Sequence, residues 1–165
     1  GDEAGERAVT ELANKAATAK TAAPFIAIQG IYAGSEDKRD KAVTWAKKAV
    51  ERNENDPLAL ICLSALYGQS GDLDKVIEVL SKHEAKMAND VRLAHNYFEA
   101  LFQKRQLDRV TKLLNALAGS QNREVKQFAI ERSRMVAQYL QQQQQQLAGA
   151  QRRPCLLYTS DAADD

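Results

Sequence analysis

Three stretches with one helical pattern begin 34 residues apart in this chain. DKAVTWAKKAV begins at Asp40, DKVIEVLSKH at Asp74 and DRVTKLLNAL at Asp108. Between residues 55 and 83, the turn GQSGD separates two segments whose apolar residues recur at intervals of three and four, the spacing of one helix face. This pattern predicts a helix–turn–helix hairpin. Because two short antiparallel helices cannot bury their apolar faces alone, the constant period predicts stacked copies of the hairpin.

The first helices of the hairpins align as well as the second helices do. Their shared apolar positions are Phe25, Ile28, Ile31 and Tyr32, then Leu60, Leu63, Leu66 and Tyr67, then Ala94, Tyr97, Ala100 and Leu101. The first offset is 35 residues and not 34, because the turn GSEDKRD is one residue longer. Only three prolines and eight glycines occur among 165 residues, which favours long helices over many turns. We therefore expect an all-α fold.

A 34-residue hairpin with an aromatic residue near the end of its first helix and a GD-type turn resembles the tetratricopeptide repeat. In the middle copy, Leu60, Leu63 and Tyr67 stand at the family's tryptophan, leucine and tyrosine positions, Ser64 at its small position and Val76 at its second-helix alanine. The departures from the family pattern are Gln29, Phe98, His83 and Leu117. The resemblance implies a right-handed α-solenoid of antiparallel helix hairpins that binds other proteins.

The resemblance also divides the chain into units. Residues 1–21 would be the second helix of a truncated preceding repeat, and three repeats would follow at 22–55, 56–89 and 90–123. Residues 124–140 would form a capping or continuing helix and residues 141–154 a Gln-rich linker. Residues 155–165 are interpreted as an adapter-derived artefact, as argued below. Glutamine is a fair helix former, so the run QQQQQQ could also continue the preceding helix. A linker is favoured because this run offers no apolar face to dock.

The last eleven residues, CLLYTSDAADD, resemble the translation of a transposon-end adapter used to build sequencing libraries. We exclude them from the fold analysis, with a native tail as the alternative. The chain also begins with Gly1 and not methionine. We therefore expect a fragment of a longer protein.

Composition argues against several functional classes. The chain has 23 basic and 22 acidic residues, a net charge of +1, and the balance becomes +4 without the last eleven residues, which hold three aspartates. Because basic and acidic residues interleave along the helices, no nucleic-acid partner is expected. No run of about 18 apolar residues is present, so no membrane span is expected. Without Cys155, Cys62 cannot form an internal disulfide, which favours a reducing compartment such as the cytoplasm.

No set of catalytic or metal-binding residues stands out in the sequence. His83 and His95 are the only histidines and fall on different predicted helices. Cys62 lies among apolar residues and is expected to be a small buried side chain, and Trp45 is expected to pack between repeats. GQSGD lies between two helices, so it is a turn and not a phosphate-binding loop. The sequence therefore predicts no enzyme active site, no metal and no cofactor.

In the tetratricopeptide family, first helices line a concave groove that binds peptides or helices, and one subclass grips a chaperone's acidic C-terminus with lysine, asparagine and arginine. The corresponding positions here are Ile26, Gly30, Cys62, Arg92 and Asn96, of which only Arg92 has a suitable charge. Moving one repeat along places Ile61 and Ala65 where lysine and asparagine are needed, although Asn96 and Lys126 then fit. The resemblance therefore does not favour binding of a chaperone tail.

The residues left on that implied groove mix apolar and charged side chains, which suits an amphipathic helix or an apolar segment of a protein partner. They are Ile26, Ile61, Ala65, Arg92, His95, Glu99 and Lys126. Alternatively, these side chains face another part of the same superhelix. The expected function is a protein–protein interaction scaffold within a larger protein or assembly. The alternatives are the recruiting arm of an enzyme whose catalytic domain lies elsewhere and an architectural segment of a complex.

Overall fold

A computed structural model describes residues 3–151, and every regular element within that range is a helix. The helices are α1 Glu3–Thr18, α2 Ala23–Ala33, α3 Arg39–Arg52, α4 Pro57–Gln69, α5 Leu73–Ser81, α6 Glu84–Met87, α7 Val91–Gln103, α8 Leu107–Ala118 and α9 Arg123–Gln151. A single 3-10 turn, Glu36–Lys38, precedes α3 and accounts for the longer turn seen in the sequence. The prediction of an all-α fold is confirmed for the described range.

The helix starts keep the spacing of the sequence pattern. α2, α4 and α7 begin at Ala23, Pro57 and Val91, and α3, α5 and α8 begin at residues 39, 73 and 107, so both series advance by 34 residues. Most helices pack against their neighbours along the chain, whereas α7 packs most closely against α5 and α4 and also contacts α9. The helices that begin at residues 23, 57, 91 and 123 are called first helices below.

Two apolar clusters form the core. The smaller cluster joins α1, α2 and the facing sides of α3 and α4, and consists of Ala16, Ala22, Phe25, Ile28, Ala49 and Ala59. The larger cluster runs from α3 to α9 and includes Leu60, Tyr97, Phe98, Leu101 and Val110, all at most 1% exposed. Trp45 packs against the smaller cluster while remaining partly exposed. The shared apolar positions of the sequence are buried, with the exception of Ile31, which is 40% exposed, and Tyr32, which is partly buried.

The turns after α4 and α7 have the same backbone conformation. Gly71 has φ +76° and Arg105, 34 positions later, has φ +54°. In both turns the next residue donates its N–H to the carbonyl oxygen five positions earlier, at 2.9 Å. This left-handed geometry closes a helix C-terminus and is favourable for glycine, whereas a residue with a Cβ is strained there.

Two glycine-to-alanine substitutions are expected to have different effects on stability. Gly71→Ala should lower the free energy of unfolding by about 1 kcal/mol or more, because alanine disfavours a positive φ. Gly68→Ala should leave stability unchanged or raise it by about 0.5–1 kcal/mol, because Gly68 lies within α4 and an added Cβ meets nothing within 4 Å. Urea unfolding followed by circular dichroism measures both. Equal effects would contradict the left-handed turn.

The helical segment that follows α4 is interrupted. It ends at Ser81 and resumes at Glu84 as the short helix α6, whereas α3 and α8 are continuous. The Tyr97 hydroxyl donates to Glu84 Oε1 at 2.8 Å, which connects α6 to α7. Burial, followed by the hydrogen bond to the Glu84 carboxylate, raises the pKa of Tyr97 to about 12. Tyr97 therefore stays a neutral hydrogen-bond donor at physiological pH.

The Gln-rich segment is helical within the described range. Residues 141–151 continue α9 as helix, which was the alternative for this run in the sequence. Extending an existing helix costs far less than nucleating one, and glutamine is a fair helix former, so α9 propagates beyond its docked part. The segment 155–165, predicted to be an artefact, lies outside the described residues.

Candidate partner-binding surface

The first helices α4 and α7, together with the start of α5, enclose a small groove that contains the polar side chains Ser64 and Asn96. Ser64, 1% exposed, lies at the crossing of the two helices, and Asn96 Nδ2 donates to its Oγ at 2.9 Å. A serine fits there because a larger side chain would hold the helices apart. The groove has a volume of about 150 Å³, and His95, Glu99 and Gln103 lie along it with Asn96. We call the exposed faces of α4, α7 and α9 around this groove the first-helix surface.

Aspartate side chains fix the start of the two helices that form the groove. Asp56 accepts hydrogen bonds from the N–H groups of Leu58 and Ala59, and Asp90 accepts one from the N–H of Arg92. Such N-caps satisfy amide donors that have no partner within the helix. The Arg92 guanidinium also donates to Asp90, with Nη2–Oδ2 at 2.9 Å, and holds the pKa of that carboxyl below its usual value. Arg92 is therefore exposed but already paired with its own N-cap residue.

Charged side chains meet along the edge of the groove nearest α9. Arg132 Nη2 lies 3.6 Å from Glu99 Oε1, and His95 Nδ1 lies 4.0 Å from the same oxygen. The side chains of Glu99 and Arg132 are 35% and 31% exposed, so solvent and a partner can both reach them. Glu99 therefore offers a carboxylate to a cationic or hydrogen-bond-donating group on a partner.

Aromatic rings surround the Arg132 guanidinium. Its central carbon lies 5.4 Å from the ring centres of both Phe98 and Phe128, a distance that allows cation–π attraction. Phe98 stacks on Phe102 with centroids 5.6 Å apart and meets Phe128 edge-on at 5.8 Å. Phe102 contacts Tyr139 at 5.3 Å. The rings fix the arginine in place, so the charged edge is preorganised.

The structure distributes the seven residues predicted for the groove over several environments. They are Ile26, Ile61, Ala65, Arg92, His95, Glu99 and Lys126. His95 and Glu99 meet at the groove edge, whereas Ile26 packs partly buried against the smaller core cluster. Ile61 and Ala65 are half-buried on α4, and Lys126 is exposed on α9.

Sequence analysis missed the contribution of Arg132 and Phe102 to this surface. Both follow a phenylalanine by four residues, Phe128 and Phe98 respectively, and this spacing places side chains side by side on one helix face. This spacing could therefore have identified each of the two side-chain pairs from the sequence. The contact between α7 and α9 that brings the two pairs together is tertiary and has no counterpart in local sequence.

The environments of Cys62 and His83 do not activate these side chains as a nucleophile or a general base. Cys62 is half-buried and free, and burial raises the pKa of its thiol, which keeps it protonated. Burial lowers the pKa of His83, so the imidazole is neutral over more of the physiological range. Between residues 3 and 151, no three His, Cys, Asp or Glu side chains come together as metal ligands. Over that same range, no helix combines the length and apolarity needed to cross a membrane.

A scan against protein-family models and searches of the curated proteins and of the solved structures found no match to this chain. Relatives therefore contribute nothing to the choice of function. That choice depends on the shape and chemistry of the first-helix surface.

Proposed function

We propose that residues 22–123 form a tetratricopeptide-like solenoid of three repeats, and that the chain is a protein-interaction module. The 34-residue advance of both helix series supports this architecture. So do the matching left-handed turns at Gly71 and Arg105, which close two hairpins in the same way. In this proposal, a segment of another protein lies across the first-helix surface formed by α4, α7 and α9.

The main support for this proposal is the set of arginine and aromatic side chains at the edge of the groove. Interfaces concentrate binding energy in aromatic and arginine side chains that are held rigidly, and Arg132 lies between Phe98 and Phe128 next to the groove. Asn96 uses one amide hydrogen on Ser64, which leaves a second N–H and a carbonyl oxygen to bond a partner's backbone. The surface thus offers both apolar contact and directed polar groups.

The partner segment is inferred from the charges at this edge. Glu99 provides an accessible carboxylate beside an apolar aromatic cluster, so an amphipathic segment with a basic side chain near its apolar face is complementary. An acidic tail is disfavoured at this edge, since its carboxylates would meet Glu99, while Arg92 already pairs with Asp90 and Arg132 with Glu99. The proposed role is thus an interaction scaffold that is selective for amphipathic or apolar segments.

Reversing the charge of Glu99 tests this role. Dodecapeptides are selected from a random display library on the wild-type chain, and their affinities are measured by fluorescence anisotropy. Glu99→Lys is expected to weaken their binding at least about tenfold, because it removes the carboxylate and repels the basic side chain. The matched control is Glu78→Lys, since Glu78 is exposed on α5, away from the first-helix surface.

Two results would contradict the proposal. One is a library selection that yields no peptide of saturable affinity. The other is a pair of equal affinities in the Glu99→Lys and Glu78→Lys variants. Because Glu99 pairs with Arg132, melting curves of both variants establish that a loss of binding occurs in a folded chain.

A further inference from the structure

A second cavity lies between α6 and α8, apart from the first-helix surface. Its volume is about 260 Å³. Leu113 and Leu117, 6% and 2% exposed, provide a buried apolar floor, while Ala85, Ala88 and Ala116 line the walls. Because alanine side chains end at Cβ, the two helices leave space between them that a longer side chain could enter. We call this cavity the α6–α8 cleft.

Hydrogen bonds hold the cleft open at both ends. At one end, Arg109 and Glu84 both bond the hydroxyl of Tyr97, so α8 and α6 share one anchor. At the other end, the chain leading into α9 is bonded to the end of α6. These bonds are Ser120 Oγ to the Ala88 carbonyl at 2.6 Å and Asn122 Nδ2 to the Asn89 carbonyl at 3.3 Å. The walls are therefore fixed before any ligand arrives, which lowers the entropic cost of binding.

The rim of the cleft has a net charge of +1, because the cations Arg109 and Lys112 lie there with a single carboxylate, Glu84. Glu84 already accepts the Tyr97 hydrogen bond, and the Arg109 guanidinium, which bonds the same hydroxyl, also donates to Gln106. Lys112 lines the cleft on α8 and forms no ion pair with any residue from 3 to 151. A carboxylate arriving at this rim would find Lys112 available and Arg109 nearby.

We propose that the α6–α8 cleft binds an acidic segment of a partner protein, which inserts one leucine-sized side chain between the alanine walls and pairs a carboxylate with Lys112. The apolar floor provides the affinity for the side chain, and the basic rim selects acidic over basic neighbours. This site differs from the first-helix surface in both location and charge preference. It would let the chain contact two segments at once.

Three capped tripeptides test the site on the ¹⁵N-labelled chain by NMR titration. Acetyl-Glu-Leu-Glu-amide is expected to shift the amide signals of Ala85, Ala88, Leu113 and Ala116 in a saturable manner. Acetyl-Glu-Ala-Glu-amide should bind at least about tenfold more weakly, because it lacks the inserted side chain. Acetyl-Lys-Leu-Lys-amide should bind several-fold more weakly, because its charges meet Lys112 and Arg109.

Variants of the chain complete the test. Ala116→Leu is expected to fill the cleft and abolish the shifts, whereas Ala118→Leu, on an exposed position of the same helix, should leave them unchanged. Lys112→Glu should remove the preference for the acidic peptide, and Lys47→Glu, exposed on α3, should keep it. Lys112→Glu alters an exposed side chain, so it remains informative if Ala116→Leu does not fold. The proposal is overturned if the acidic leucine peptide causes no shifts at the cleft, or if the acidic and basic leucine peptides shift it equally.

Discussion

Replacing Phe98 with alanine is expected to lower the free energy of unfolding by about 3–5 kcal/mol, the largest effect of any substitution considered for this chain. Phe98 is fully buried and contacts Phe102, Phe128 and Arg132. Its loss removes one of the rings that join α7 to α9 and would leave a cavity in the core between these helices. Arg132 would also lose one of the two rings that hold it beside Glu99.

Urea unfolding monitored by circular dichroism at 222 nm measures this loss. Phe102→Ala serves as the comparison, because Phe102 is partly exposed on the same helix and should cost clearly less. Phe98→Leu keeps most of the apolar volume and is expected to remain folded if the alanine variant does not. A loss below about 1 kcal/mol for Phe98→Ala would contradict the packing of α9 on α7.

Leu60→Ala is expected to lower the free energy of unfolding by about 2–5 kcal/mol. Leu60 is fully buried in the larger core cluster. Leu58→Ala, two residues earlier on the same helix, should change stability by less than about 0.5 kcal/mol, since Leu58 is 44% exposed.

A comparison of Leu58→Ala with Leu60→Ala tests directly which face of α4 is buried. Both substitutions remove the same atoms from one helix, so helix propensity and unfolded-state effects nearly cancel in the comparison. Equal losses of unfolding free energy, measured by urea titration, would show that the buried face of α4 is assigned wrongly.

Much of this fold could be predicted from sequence because the apolar residues recur with helical spacing at a constant period. The starts of the helices at Pro57 and Val91 follow from an aspartate immediately before each, Asp56 and Asp90, which caps the helix. The turn at Gly71 was recognisable as well, because glycine marks a left-handed residue. Arg105 has the same conformation without that signal.

Other features depend on tertiary contacts that local sequence does not encode. The break between α5 and α6 coincides with the bond from Tyr97 to Glu84, thirteen residues away along the chain. For the glutamines 141–146 the sequence left both a linker and a continuing helix open, and extension of α9, whose earlier part is docked on α7 and α8, favours the helix. Arg132 belongs to the first-helix surface because the packing of α9 on α7 places its guanidinium beside Glu99.

Whether a partner segment lies across the first-helix surface is tested most directly by an amide chemical-shift map of the chain saturated with a library-selected dodecapeptide. We predict that the largest shifts fall on Ser64, Asn96, Glu99 and Arg132, which lie on α4, α7 and α9. Shifts confined to α1 and α3, or to the α6–α8 cleft, would contradict the claim.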